Sequence, residues 1–263
     1  MPLIRRLYVM DFKILILLIR IRLASIKDYK LDFAFSLLYA VIETCGIFFL
    51  ISFVMNSQAL NNKVSDIDTL LFVGIYRLTH GFVFSLFMDR VLSLPNIVRA
   101  GELDSFLLVP RNADSYYFLG DANSRGVPSI LIGFILIILT QNTFSLLTFF
   151  HVITCQIIAV WFIYNIFISI AALLANVINS GPLNAIFTNY FSMVQISSIG
   201  VSGEGISALL FLPFALVCWL PYQLITTGNQ SVYAYLFIML VTSFLLRKWA
   251  WGHLLKHYNS ANA

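Results

Sequence analysis

The chain has 263 residues, of which 60% are hydrophobic and only 11% charged, with a net charge of +4 and a pI near 9.0. Soluble domains carry about 25% charged residues, and a soluble fold of this size has no means of hiding so large an apolar excess. The basic balance therefore points to the cytoplasmic leaflet of a membrane rather than to nucleic acid.

In chain order, residues 3–30 interleave Arg5, Arg6, Lys13, Arg20, Arg22, Lys27 and Lys30 with leucine, isoleucine and tyrosine. Too charged to span and too apolar for a free tail, they predict an amphipathic helix lying in the membrane interface. The apolar run 14–19 is short and is followed by Arg20 and Arg22, so no cleavable signal peptide is expected. A transmembrane helix needs about 20 apolar residues. Such runs fall at 33–55, 69–92, 118–140, 146–177 and 183–201, with a last one at 231–246. The breaks are a polar loop at 56–68, a polar stretch at 95–114, a tight turn at 141–143 and the Asn179-Ser180-Gly181-Pro182 sequence. Residues 203–228 are apolar but carry Pro213 and Pro221, which predict a re-entrant helical hairpin broken at those prolines.

The fold expected is an all-α integral membrane protein, a single permease-like domain over 1–263 with about six spans. The basic residues choose six over seven. With the N-terminus inside, six spans place Arg90, Arg99, Arg111, Arg125, Arg247, Lys248 and Lys256 in the cytoplasm with the basic N-terminal segment, and leave Lys63 in the outer loops. Both termini are then cytoplasmic. Cys45, Cys155 and Cys218 have no metal-ligand spacing and read as small buried apolar side chains.

Charge inside a membrane is costly. Glu43 lies about 15 Å along its helix from the inner end, and Arg77 about 12 Å from the outer end of the antiparallel neighbour. Their depths match, so an ion pair is expected, the functional alternative being a substrate or gating contact. Phosphate-loop, HExxH and GxSxG patterns are absent, and the four histidines are scattered, so no catalytic or metal site is expected. A membrane-embedded enzyme would have to use Glu43, His80, Asp89 or Glu204, which are dispersed. An ion-driven carrier would be expected to show an internal repeat, and none is evident. The Asn229-Gln230-Ser231 sequon is too short a match to carry weight.

The stretch after the second span reads Asn96-Ile97-Val98-Arg99-Ala100-Gly101-Glu102-Leu103-Asp104-Ser105-Phe106-Leu107-Leu108-Val109-Pro110. It resembles the G-[ED]-L-D-x-x-L-L-x-P signature of type 2 ABC exporter permeases. The C-terminal run from Trp251 through Tyr258 to Ala261 is similar to the W-x-x-G-L-x-x-Y-x-S-A-G ending of one bacterial branch, with Gly252 moved next to Trp251 and Asn262 in place of the last glycine. The resemblance implies a permease subunit of the bacterial cytoplasmic (inner) membrane. It would pair with a second permease, identical or paralogous, and with an ABC ATPase subunit that carries ATP and Mg; no cofactor is expected on this chain. It also implies that a helix from about Pro95 to Asp104 couples to the ATPase through Asn96, Ile97, Arg99, Gly101, Glu102, Leu103, Asp104 and Pro110. In that turn Gly101 would admit close backbone approach or a positive φ, and Asp104 would cap the helix that follows. The 24 phenylalanines suit an apolar or lipid-like cargo, but aromatics also fill helix interfaces and headgroup belts.

Overall fold

The structure, a computed structural model, describes residues 30–56, 66–108, 126–140, 146–175, 181–187, 189, 215–228 and 231–258. The interfacial helix expected over 3–30 lies outside them except for Lys30, as do Pro110, Glu204, Pro213 and most of the span expected at 183–201.

All regular structure among the described residues is helical. The elements are α1 (Lys30–Asn56), α2 (Asp66–Leu86), α3 (Met88–Arg99), α4 (Leu103–Leu107), α5 (Val127–Thr140), α6 (Leu146–Leu174), α7 (Ala215–Thr227) and α8 (Ser231–His257). By length and hydropathy, four runs suffice to cross a membrane: Lys30–Leu50, Ile67–Arg99, Phe149–Leu174 and Ser231–His257; α5 is a shorter apolar helix. The chain is an all-α, multi-pass membrane protein. Buried hydroxyls inside the helices return their hydrogen to the preceding turn, as where Ser169 Oγ donates to the Asn165 carbonyl at 2.6 Å and Thr79 Oγ1 to that of Ile75 at 3.0 Å. That local bond lets a polar side chain sit where water does not reach.

Three expectations about helix ends are corrected. The second span continues past residue 92 through Pro95, which lies inside α3 rather than starting a separate helix. Only Phe87, at φ −149° and ψ −7°, interrupts the path from α2 into α3. Pro221 likewise sits inside α7 and does not break it; a helix tolerates one missing N–H donor where neighbouring helices hold it in place. The last span continues beyond residue 246 to His257, carrying Arg247 and Lys248 within the helix.

The tightest pairing is α2 with α5, which run antiparallel. Gly74 and Gly81 on α2 face Gly133 and Gly126, so backbone meets backbone. A Cβ at Gly133 would stand 2.7 Å from the Leu78 nitrogen, one at Gly81 would stand 2.7 Å from that of Ile130, and one at Gly126 would overlap the Gly81 carbonyl. Small residues permit this approach, and in lipid the resulting dispersion contact is a main source of helix association.

Contact order also fixes helix directions. Thr79 meets Gln156 and Phe87 meets Tyr164, so α2–α3 and α6 are parallel. His151 meets Tyr233 and Asn165 meets Ser243, so α6 and α8 are parallel too. Phe72 meets Tyr222 and Thr79 meets Cys218, so α7 runs opposite to α2. The helix α1 is the outlier: Ala40, Thr44 and Ile47 are buried, while Phe35, Leu38, Ile42, Phe49 and Phe53 point outward. Cys45, expected to be buried, is exposed on this helix; Cys155 and Cys218 are buried.

Candidate functional site: the turn after the second span

The run Ile67–Arg99 contains 33 residues. At 1.5 Å per residue it is about 50 Å long, about 20 Å more than the hydrocarbon layer. The sequence that follows therefore stands clear of the membrane interior. It is held by a defined helix stop: the Gly101 N–H donates to the Val98 carbonyl at 3.3 Å and the Glu102 N–H to that of Ile97 at 3.1 Å. These two bonds form a Schellman motif, which places the residue after the cap in left-handed backbone. Gly101 occupies that position at φ +71°, a conformation that costs a side-chain-bearing residue energy and glycine almost nothing.

Beyond the glycine the chain turns into α4, five residues long. Leu103 anchors it, fully buried in the main core with Val98. Asp104 lies in the first turn of α4, whose N-cap is Glu102 with no side-chain cap bond. Asp104, expected to cap this helix, therefore lies inside it rather than at its N-cap. Asn96, Arg99 and Glu102 are exposed, and Ile97, Gly101 and Asp104 are half-buried. The apolar residues that reach solvent are Leu107 and, at 84% exposure, Leu108. Ile97, Val98, Leu103 and Phe106 instead serve the chain's own packing.

Within the bundle the structure brings Glu43 and Arg77 together: Arg77 Nη1 donates to Glu43 Oε2 at 2.7 Å, with the Arg77 side chain 0% and that of Glu43 27% exposed. Among the described residues Arg77 Nε and Nη2 have no hydrogen-bond partner. The neighbouring polar side chains pack close to one another. Thr79 Oγ1 lies 2.9 Å from Gln156 Oε1, and His80 is stacked between Tyr76 and Phe84 on its own helix. Arg247, assigned to the cytoplasm by sequence, is buried with its guanidinium 5.4 Å from the Tyr164 ring and 5.3 Å from that of Phe244. Asp89 is exposed on α3.

The family model described as ABC-2 family transporter protein matches residues 41–262. The chain belongs to the ABC-2 transporter family. Its role is that of the membrane permease of an ABC transporter. No curated protein and no solved structure matches it. Sequence reasoning did not pick out the glycine seam of this ABC-2 permease, although the seven-residue spacings Gly74/Gly81 and Gly126/Gly133 are visible in the sequence.

Proposed function

We propose that this permease forms half of an export pathway. It pairs with a second permease and takes its driving force from a separate ATPase subunit that binds ATP and Mg. The observation that carries the reading is the turn at 96–108: a glycine-stopped helix end, projected past the membrane, presenting Asn96, Arg99, Glu102 and Leu108 to the outside of the subunit. A permease without a nucleotide site gains free energy only through differential contact with a subunit that has one, and this is a contact surface on a rigid lever. The bacterial cytoplasmic membrane with both termini inside is the setting that the basic residues favour. The parallel course of α6 and α8 supports it, because a full crossing by 203–228 after the fifth span would have made them antiparallel. The direction of α7 suits the returning limb of a re-entrant segment.

The experiment is co-expression with the ATPase of the neighbouring gene and purification on a tag carried by the permease. Gly101→Trp forces a bulky side chain into left-handed backbone at the surface. The permease should still reach the membrane, with capture of the ATPase or its permease-dependent ATP hydrolysis lost. Wild-type capture and hydrolysis in Gly101→Trp would remove the turn as the coupling element.

A further inference from the structure

The helix α8 has 27 residues and is about 40 Å long at 1.5 Å per residue. That matches a bilayer with its headgroup layers, about 10 Å more than the hydrocarbon alone. One side of α8 is buried in the bundle, through Val232, Leu236, Ser243, Arg247, Ala250 and Leu254. The opposite side is exposed, and its chemistry changes along its length. Up to residue 246 it presents Tyr235, Phe237, Ile238, Val241 and Leu245, and the one hydroxyl among them, that of Thr242, donates to the Ile238 carbonyl at 3.0 Å. From residue 248 onward it presents Lys248, Trp249, His253, Lys256 and His257. Positions 238, 242, 245, 249, 253 and 256 recur every three or four residues, so the apolar stretch and the basic stretch lie on one line along the helix.

The change comes at the depth where lipid changes. Lys248 is about 26 Å along the axis from Ser231, close to the inner edge of a hydrocarbon layer of about 30 Å. A lysine there reaches out to the headgroups while its stem stays in apolar surroundings. Trp249, 60% exposed, sits where tryptophan gathers at membrane–water interfaces. Beyond it the rings form a stack at headgroup level: Trp249 and His253 have centroids 6.0 Å apart, and His253 and His257 4.3 Å apart. His257 Nδ1 lies 2.9 Å from the His253 carbonyl and donates to it, which fixes the last ring. The charge of this end is one-sided. No acidic residue occurs in α8 or in α6 and α7, the helices packed on it. Among the described residues neither Lys248 nor Lys256 is in an ion pair.

We infer that the C-terminal end of α8 is a contact surface for anionic phospholipid headgroups, with Lys248 and Lys256 facing the phosphates and Trp249 seated at the acyl boundary. Charge excludes the nearer alternatives. A second copy docked on this face about a two-fold axis would bring lysine toward lysine. The segment 3–30 of the same chain has seven basic residues against Asp11 and Asp28 and is no complement to a basic face. Under the proposed orientation, with both termini inside, the lipid is that of the cytoplasmic leaflet, whose anionic surface attracts such clusters.

Native mass spectrometry of the purified chain in mild detergent, titrated with phosphatidylglycerol or phosphatidylcholine, tests the surface. It depends neither on the orientation nor on the export reading. A basic residue near an anionic surface contributes about fivefold in affinity. Lys248→Gln/Lys256→Gln should therefore weaken the tightest phosphatidylglycerol site about 25-fold and leave phosphatidylcholine within about twofold of wild type. Lys248→Arg/Lys256→Arg keeps both charges and should retain wild-type phosphatidylglycerol binding to within about threefold. Unchanged phosphatidylglycerol affinity in the glutamine variant overturns the assignment, as does an equal loss for both lipids. Two further results would give the face to another occupant and overturn it as well. One is intact lipid selectivity with the ATPase lost on co-purification. The other is intact selectivity with a dimer reduced to monomer.

Discussion

Replacing Glu43 with alanine leaves the Arg77 guanidinium inside the bundle with no anion. Its side chain is 0% exposed, two of its nitrogens already lack partners among the described residues, and Nη1 would join them. Removing one member of a buried pair costs about 3–5 kcal/mol. Guanidinium cannot shed its proton to escape, so Glu43→Ala should fall at the upper end. Arg77→Met should cost less, about 1–3 kcal/mol, for two reasons. Methionine fills much of the vacated volume, and a lone carboxyl, here 27% exposed, can become neutral by taking up a proton. The double variant removes both charges and should be milder than the sum of the singles by about 2 kcal/mol or more. The assay is a double-mutant cycle on unfolding free energies from SDS titration in mixed micelles. Additivity to within about 0.5 kcal/mol would show that the 2.7 Å contact contributes nothing, and an Arg77→Met variant less stable than Glu43→Ala would refute the argument that the stranded guanidinium is the costlier of the two.

Other outcomes follow from the same geometry. Gly133→Ala should destabilise the fold by about 1–3 kcal/mol through overpacking, because its Cβ meets backbone at Leu78 and Gly74 on α2; Gly46→Ala, with nothing within 4 Å, is the matched control in the same unfolding assay. Arg247→Met should lower stability by about 0.5–2 kcal/mol, since it loses the ring faces of Tyr164 and Phe244; a stability equal to wild type would show that these contacts are idle. For topology, cysteines placed at 62 and 229 in a background without the native three should label from outside intact cells with an impermeant reagent, whereas cysteines at 102 and 258 should label only after the cells are opened. Labelling of position 258 in intact cells would reverse the six-span arrangement.

The all-helical membrane class was legible because composition leaves no other solvent for so much apolar surface. The pairing of Glu43 with Arg77 was legible because rise per residue converts sequence position into depth. Helix ends were harder to read. Pro95 and Pro221 look like stops, yet a proline removes only one donor, and packing on neighbouring helices keeps α3 and α7 continuous. Arg247 and Lys248 look like the end of a span, yet Arg247 is covered by aromatic faces inside the bundle. The meeting of Thr79 with Gln156 could not be read at all, because it exists only once α6 has been laid along α2.

The seam between α2 and α5 has a mechanical consequence. Two helices in backbone contact have no compliant side-chain layer between them, so neither slides nor rotates on the other without steric overlap. They behave as one beam. Whatever relative motion opens a path for cargo must be taken up at softer joints. The outward-facing α1, pinned along a narrow stripe and by the Glu43–Arg77 ion pair, is such a joint. A beam that is stiff within the membrane moves as one body, so a displacement at one end of α2 reaches the other with little loss.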